Sequence, residues 1–303
     1  KKNSDYFYLL GLIYLKTKKF DQSSIFFSKA IKINKKIDYF FAYAEALVKN
    51  NHLDEAIKAY ESIISIDKNN EPTLVNLSHT YFLIENYYLA EKFILKAIQI
   101  NNKNANYYKN LGNIYKRQNK LTDALDNYRT AINLDPHNHE IKKGIGLILL
   151  TQKKYDVGWN YYDSRIFARQ NSGDLFDKIK HNLFNEKIIQ SKHKLAIISE
   201  QGMGEQILFS SMYKDLINST KNLKFFIDLR FFDIFKRSFG DQEFIDKNNF
   251  KKIDDAIKNG FKFLYAGNLG KFYRKKISNF DGKPFYKVNE GKVKKYKSIL
   301  STY

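Results

Sequence analysis

A repeat of 33 to 34 residues fills the first half of the chain and constrains its fold more than any other feature. The segments DEAIKAYESIISID, LAEKFILKAIQIN and TDALDNYRTAINLDP align so that a small residue precedes a large one by four positions, in the pairs Ala56 and Tyr60, Ala90 and Ile94, Ala124 and Tyr128. A second series precedes each of these: Leu10-Gly11, Tyr43-Ala44, Leu77-Ser78, Leu111-Gly112 and Ile145-Gly146. Units therefore begin near residues 4, 37, 71, 105 and 139, and the period predicts a stacked array.

The spacing has a packing reason. A small residue on each of two helices lets them cross closely, and a large residue fills the space beside the crossing. Each helical hairpin then buries its remaining apolar face on the next hairpin. Turn residues favour breaks at Asn50-Asn51, Asn69-Asn70, Asn101-Asn102 and Asp135-Pro136, which we interpret as lying between units.

This pattern resembles the tetratricopeptide repeat over about residues 4 to 165. The fourth unit matches best, with Tyr108, Leu111, Gly112, Tyr115, Ala124, Tyr128, Ala131 and Pro136, whereas Ser23 replaces the second-helix alanine in the first unit. The resemblance implies an α-solenoid, which we assign to residues 1–168. It also implies a protein or peptide partner in the groove lined by the first helix of each pair.

Asn76 and Asn110 occupy the same position in neighbouring units, 34 residues apart. They resemble two rungs of the asparagine ladder that grips extended peptides in the O-linked N-acetylglucosamine transferases. An amide both donates and accepts, which suits a peptide main chain of any sequence. Lys109 and Asn113 resemble the start of a carboxylate clamp. The alternative is chance, because the chain is rich in Asn and other units carry Leu9, Ala42 and Gly144 at this position.

The fifth unit departs from the pattern with KKYDVGWNYYDSRIFAR, in which Gly158 and Trp159 replace the expected alanine. One interpretation is an apolar lid, since terminal repeats are atypical. The other is a resemblance to bacterial proteins in which such an array is fused to a heptosyltransferase-like glycosyltransferase domain. We predict a linker at residues 169–192.

A strand, a glycine turn and a helix follow, as that resemblance requires. LAIIS (195–199) reads as a buried parallel strand and leads into Glu200-Gln201-Gly202-Met203-Gly204-Glu205 and then QILFSSMYKDLIN. In open α/β sheets such a turn borders the ligand site. The segment resembles the family's EQGxGD motif, which implies that Glu205 is the catalytic base and that Gln201, Gly202, Met203 and Gly204 border an acceptor or anion. The structural alternative for Glu205 is an acid in the first helical turn, which the helix dipole favours.

Further strands are predicted at 223–228, 243–246 and 261–267, with a helix at about 231–239. Strands alternating with short helices predict a mainly parallel sheet over residues 193–303. The resemblance implies a Rossmann-like α/β domain corresponding to the first lobe of a GT-B glycosyltransferase. Gly267 to Arg274 resembles the family's GSLxxxxR loop, with Asn268 in place of the serine. Arg274 is expected either to meet an anionic ligand or to cap a helix end.

The composition of the chain argues against several classes of function. The formal charge is +20, but only seven of the 52 basic residues are Arg, and no basic stripe with stacking aromatics is visible, so nucleic-acid binding is not expected. The absence of Cys excludes disulfides and thiolate chemistry, and no metal site is expected. No apolar run is long enough to span a bilayer and no signal peptide is recognisable, so we expect a cytoplasmic location.

Two functions are compatible with the sequence. The first is an inverting glycosyltransferase whose array recruits a protein or glycan acceptor, with a nucleotide-sugar as co-substrate and no tightly bound cofactor. GT-B transferases need a second lobe for the donor, so the 303-residue chain is expected to be a fragment or a degenerate relative and not to turn over by itself. The second is a non-catalytic scaffold that binds a protein in the groove of the array.

Overall fold

The computed structural model describes residues 3–168, 174–200 and 202–301. The chain divides into two compact units, residues 1–144 and 145–303. The first is built from helical hairpins. The second begins within the fifth hairpin and contains a small parallel sheet.

The predicted repeat is confirmed as consecutive helix pairs. The first helices begin at Ser4, Ile37, Glu71, Ala105 and His139, as the alignment predicts. The pairs are α1 (Ser4–Lys16) and α2 (Phe20–Ile33), α3 (Ile37–Lys49) and α4 (Leu53–Ile66), α5 (Glu71–Leu83) and α6 (Tyr87–Ile100), α7 (Ala105–Arg117) and α8 (Leu121–Leu134), α9 (His139–Thr151) and α10 (Tyr155–Tyr162).

Each hairpin turn contains one residue with a left-handed backbone. These residues recur with the repeat, at φ between 59° and 62°, and are Lys18, Asn51, Glu85, Asn119 and Lys153. Asn adopts this conformation readily, whereas Lys and Glu do so at a cost of about 1 kcal/mol or more. Asn50 and Asn51 therefore lie inside the second hairpin, and the interpretation of this pair as a break between units is wrong.

Small residues sit where the helices cross. A Cβ on Gly11 would lie 2.5 Å from the ring of Phe27, and the ring of Tyr128 lies against both Gly112 and Gly144. Ser23 Oγ donates to the main-chain oxygen of Gly11 at 2.9 Å, so the serine that replaces alanine here still permits the close crossing. Ala56, Ala90, Ala124 and their large neighbours are buried, as the alternation of sizes requires.

The sheet of the second unit has four parallel strands in the order β3-β2-β1-β4. The strands are β1 (Lys194–Ile198), β2 (Asn222–Ile227), β3 (Glu243–Asp246) and β4 (Lys262–Tyr265), each close to its predicted position. Ile197 pairs with Phe225 on one side and with Leu264 on the other. β1 therefore lies at the point where the direction of strand addition reverses.

Both faces of the sheet are covered, which explains the continuous apolar strands. Alternate strand residues such as Ile197 and Phe225 form one core with α13 (Met203–Ser210), α14 (Tyr213–Ser219) and α15 (Phe232–Phe239). The intervening residues, such as Ile198 and Phe226, form a second core with α12 (Asp174–Ile179) and α16 (Phe250–Lys258). The remaining helices are α11 (Arg165–Ala168), α17 (Gly270–Tyr273) and α18 (Glu290–Leu300).

Part of the segment expected to be a linker is ordered against the sheet. Residues 174–182 form α12 and a turn of 3₁₀-helix, and Phe184 N–H donates to Phe263 O at 2.8 Å. Ile179 is fully buried, which gives this segment an apolar anchor that the composition of the linker did not suggest. The second unit thus extends towards the amino terminus beyond residue 193 and includes α10 and α11.

Candidate functional site

Trp159 of α10 is packed onto α17. Its indole Nε1–H donates to the main-chain oxygen of Arg274 at 2.8 Å, and the side chain is 8% exposed. The ring lies against Gly270, where a Cβ would overlap it. Position 270 therefore requires glycine, because the Trp159 ring approaches the main chain too closely for any side chain.

Arg165 of α11 is buried between the ends of β1 and β4. One guanidinium nitrogen, Nη2, lies 2.5 Å from Glu200 Oε1 and 2.8 Å from Asn268 Oδ1. Gly267 N–H donates to the same Glu200 oxygen at 3.2 Å, so the carboxylate is met by a cation and a main-chain donor. The guanidinium also lies over the ring of Tyr162, 4.6 Å from its centroid.

We call Trp159, Arg165, Glu200, Asn268 and Arg274 the junction network. It brings together three segments that the sequence analysis singled out: the altered second helix of the fifth hairpin, the turn after β1 and the loop from Gly267 to Arg274. Glu200 follows β1 and Asn268 follows β4, so the network occupies the carboxyl edge of the sheet at its reversal point. Ligands of open α/β sheets bind at such crevices. Here the crevice holds the buried side chain of Arg165.

A second ion pair supports the network. Lys271 Nζ lies 2.7 Å from Asp163 Oδ2, and burial raises the pKa of the Asp163 carboxyl above its ordinary value of 3.8. The nearby cations Lys271 and Arg165 act in the opposite direction. The carboxylate therefore costs solvation energy that its ion pairs only partly offset.

Arg274 is 8% exposed and fully engaged within the unit. Nη1 donates to Asp215 Oδ2 at 2.8 Å, and Nη2 donates at 3.1 Å to the main-chain oxygen of Ser211, which follows the last residue of α13. The contact with Ser211 is the helix-end role considered from the sequence. With both ends of its guanidinium occupied, Arg274 has little room to meet an external anion.

The glycine turn after β1 is more open. Gly202 and Gly204 are exposed, Met203 is 53% exposed, and Gln201 lies outside the described residues. Gly202 N–H donates to Glu205 Oε2 at 3.4 Å, and a Cβ on Gly204 would meet nothing within 4 Å. Glu205 therefore caps the start of α13, the position in which the helix dipole favours an acid.

The residues assigned to the groove differ in how much of their hydrogen-bonding capacity is free. Asn76 is half-buried and hydrogen-bonds to Tyr60, whose pKa is raised by burial. Asn113 Oδ1 accepts from the hydroxyl of Tyr128 at 2.6 Å, and Lys109 Nζ donates to Asn106 at 2.9 Å. Asn110 is half-buried, and no described residue hydrogen-bonds to its side-chain amide. Asn110 is thus the best placed of the four to meet a ligand.

The sequence did not indicate that Glu200, Asp163, Asp215 and Lys271 form ion pairs in this region. The missed signal is an acid directly after a buried apolar strand, at the end of LAIIS. A buried carboxylate needs a cation, and one of the few arginines of the chain lies in the atypical fifth unit.

Residues 4–138 carry tetratricopeptide repeats, and the fold defines an array of this class that precedes a parallel-sheet unit. Tetratricopeptide repeat family models match residues 4–37, 37–70, 72–104 and 105–138. The predicted repeat family is confirmed over this range. The fifth hairpin, with its altered α10, follows the matched segment.

Curated relatives match parts of the chain. A 70-residue stretch is 42% identical to part of the UDP-N-acetylglucosamine--peptide N-acetylglucosaminyltransferase of Caenorhabditis elegans. The match covers 23% of this chain and 6% of that protein. Over 138 residues the chain is 23% identical to the BBSome complex member BBS4 homolog of Drosophila melanogaster, covering 45% of this chain and 28% of that protein. The chain thus spans well under half the length of these relatives.

Solved structures support the helical fold. MamA 41-end from Desulfovibrio magneticus RS-1 has a TM-score of 0.52 at 13% identity, over 57% of this chain and 99% of that one. A MamA RS-1 double mutant has a TM-score of 0.51 at 14% identity, over 57% and 99%. Within the described part of the chain, no helix has the length and apolar character needed to cross a bilayer.

Proposed function

We propose that the helical array recruits a protein partner by holding an extended segment of its main chain. The observation that carries this proposal is the half-buried amide of Asn110, which has no hydrogen-bond partner among the described residues and lies one repeat from Asn76. A side-chain amide can pair with both the N–H and the C=O of a peptide unit. Helical repeats commonly use such surfaces for peptides.

A panel of labelled, unstructured 15-residue peptides of mixed sequence tests this role. The double variant N76A/N110A is expected to bind the retained peptides about 30-fold more weakly, because each amide loses at least one hydrogen bond that contributes about 1 kcal/mol. The matched control is Asn127→Ala, which removes an amide on α8 that bonds to Asp123 of its own helix. Equal weakening in the control, or no peptide bound by the wild type, would contradict the proposal.

We further propose that the second unit forms the acceptor half of a glycosyltransferase site. The specific observation in its favour is the junction network, because segments 100 residues apart that resemble the same transferase family meet at one sheet edge: Arg165 and Asn268 are 103 residues apart and share a hydrogen bond. The parallel sheet with both faces covered is compatible with a Rossmann-like lobe.

In this reaction the hydroxyl oxygen of the acceptor attacks the anomeric carbon of a nucleotide-sugar. The Glu205 carboxylate accepts the proton of that hydroxyl. The bond from that carbon to the diphosphate breaks, the nucleotide leaves with the electron pair, and the configuration inverts. Gly202, Met203 and Gly204 border the acceptor. Glu205 would exchange its capping contact with Gly202 for the acceptor hydroxyl, a change that the weak 3.4 Å bond allows.

The test is nucleotide release from a panel of nucleotide-sugars by the full-length protein, with the substitution Glu205→Gln. General-base loss is expected to lower the rate at least 100-fold. Asp241→Asn serves as the control, since it changes an exposed acid outside the site. Unchanged turnover in E205Q would remove Glu205 from the mechanism. No turnover by the full-length wild type would leave only the recruiting role.

A further inference from the structure

A cleft of about 730 Å³ lies between α15, the preceding turn and the start of α18. Its lining includes Ile207 of α13, Tyr286 and the cations Arg230, Lys236, Arg237 and Lys292. The volume is in the range of sites that hold small molecules. The cleft contains none of the residues of the junction network.

The charge of this cleft is strongly positive. Four cations and one carboxylate line it. Arg230 is neutralised by Asp228, which lies 2.7 Å from its Nη2. No carboxylate among the described residues lies within ion-pair distance of Lys236, Arg237 or Lys292. Three cationic charges thus converge with only Asp233 to offset them.

Arg237 is held in place without being neutralised. Its Nε donates to the main-chain oxygen of Lys287 at 2.8 Å, and Nη1 donates to that of Asp233 at 3.3 Å. The Lys287 segment is fixed in turn, since its N–H donates to Ser238 Oγ at 2.9 Å. Carbonyl groups orient the guanidinium but leave its charge and the Nη2 donors available to an anion.

An apolar wall stands beside these cations. The Tyr286 ring stacks on Phe235 with 6.0 Å between centroids, and its hydroxyl shares a 2.6 Å hydrogen bond with Ser210 Oγ. Ile207 adds an aliphatic surface that is 43% exposed. A rigid aromatic and aliphatic wall next to unneutralised cations suits a molecule with a planar ring and an anionic group.

We propose that this cleft binds a molecule that carries both a phosphate ester and a planar ring, as a nucleoside diphosphate does. Arg237, Lys236 and Lys292 meet the phosphate oxygens, and Tyr286 and Ile207 pack against the ring. The site is separate from the proposed base, because Ile207 and Glu205 are two positions apart on α13 and so project from different sides of that helix. Binding in this cleft therefore does not depend on whether the chain takes part in sugar transfer.

Calorimetric titration of the 303-residue chain with uridine diphosphate, inorganic phosphate and uridine tests the site. Uridine diphosphate is expected to bind at least tenfold more tightly than either of the other two, because only it uses both the cations and the wall. Arg237→Gln and Lys292→Gln are each expected to weaken this binding at least fivefold. The Lys292 side chain has no hydrogen-bond or ion-pair partner among the described residues, and the bond from its main-chain N–H to Asn289 Oδ1 does not depend on the side chain, so K292Q tests the charge without a risk to folding.

The net charge of +20 makes a matched control necessary, since any polyanion is attracted over long range. Lys283→Gln removes an exposed lysine away from the cleft and is expected to change the affinity less than twofold. Equal weakening by K283Q and K292Q would overturn the proposal in favour of general charge attraction. Equal affinity for uridine diphosphate and phosphate would contradict the proposal that Tyr286 and Ile207 bind a planar ring.

Discussion

Trp159 and Arg274 are 115 residues apart in sequence and are joined by a 2.8 Å hydrogen bond from the indole N–H to the main-chain oxygen. The bond ties the last helical hairpin to the segment after β4. It also gives the tryptophan a specific role in the fold, beyond that of an apolar lid. The tryptophan that looked like either an array end or a fusion signature is in fact a buried contact within the second unit.

Trp159→Phe should lower the free energy of unfolding of the second unit by about 1 to 3 kcal/mol. The variant keeps most of the apolar contact but leaves the Arg274 carbonyl without its donor, and a buried unpaired polar group carries a desolvation cost of this size. Urea unfolding followed by circular dichroism measures the change, because the substitution removes the single Trp of the chain. Tyr88→Phe, at a side chain 75% exposed, should have no measurable effect. A loss in W159F no larger than in this control would show that the bond contributes nothing.

Gly270→Ala should destabilise the protein by about 1 to 3 kcal/mol, because the new Cβ would overlap the buried ring of Trp159 and force it to move. Gly204→Ala is the matched comparison, since its Cβ would meet no atom within 4 Å and alanine favours the helix. Thermal unfolding of both variants checks the contrast. Similar melting temperatures for the two would contradict the packing described for α10 and α17.

Removing one partner of the buried pair Arg165 and Glu200 should be costly. Arg165→Met leaves the Glu200 carboxylate without its cation and is expected to lower the free energy of unfolding by about 3 to 5 kcal/mol. The double variant R165M/E200Q should be more stable than R165M, because the unpaired charge is gone. A double-mutant cycle measured in urea gives the coupling. Additive effects of the two substitutions would mean that the 2.5 Å contact carries no interaction energy.

Much of the fold follows from spacing alone. The 33 to 34-residue period places all five hairpins, because small and large residues at fixed intervals admit one way of crossing. The strands follow from continuous apolar runs such as LAIIS, which require cover on both faces. The turn pair Asn50-Asn51 was misplaced, since Asn marks any turn and the repeat position of the left-handed residue is also filled by Lys18 and Glu85.

The candidate site was predictable only in part. The sequence singled out Asn268, Arg274 and the glycine turn, but spacing gives no information on which distant side chains satisfy a buried charge. Glu200 receives Arg165 from α11, and Arg274 is engaged by Asp215 of α14. These pairings depend on tertiary packing between elements 35 and 59 residues apart. The cleft beside Arg237 was missed because its residues are scattered over four elements.

The pair Asp228 and Arg230 should make stability depend on pH in the acid range. The side chain and then the main-chain N–H of Arg230 donate to Asp228, which holds the pKa of that carboxyl well below its ordinary value of 3.8. A folded-state pKa below the unfolded one means that this stabilisation is fully present above about pH 4 and is lost as the pH falls further. The difference in free energy of unfolding between wild type and Asp228→Asn should therefore be constant from pH 7 to 5 and shrink from pH 4 to 3. Other carboxylates titrate in both proteins, so they cancel in this difference. A difference that stays constant down to pH 3 would show that Asp228 keeps its ordinary pKa in the folded chain, and one that grows there would show that its pKa is raised.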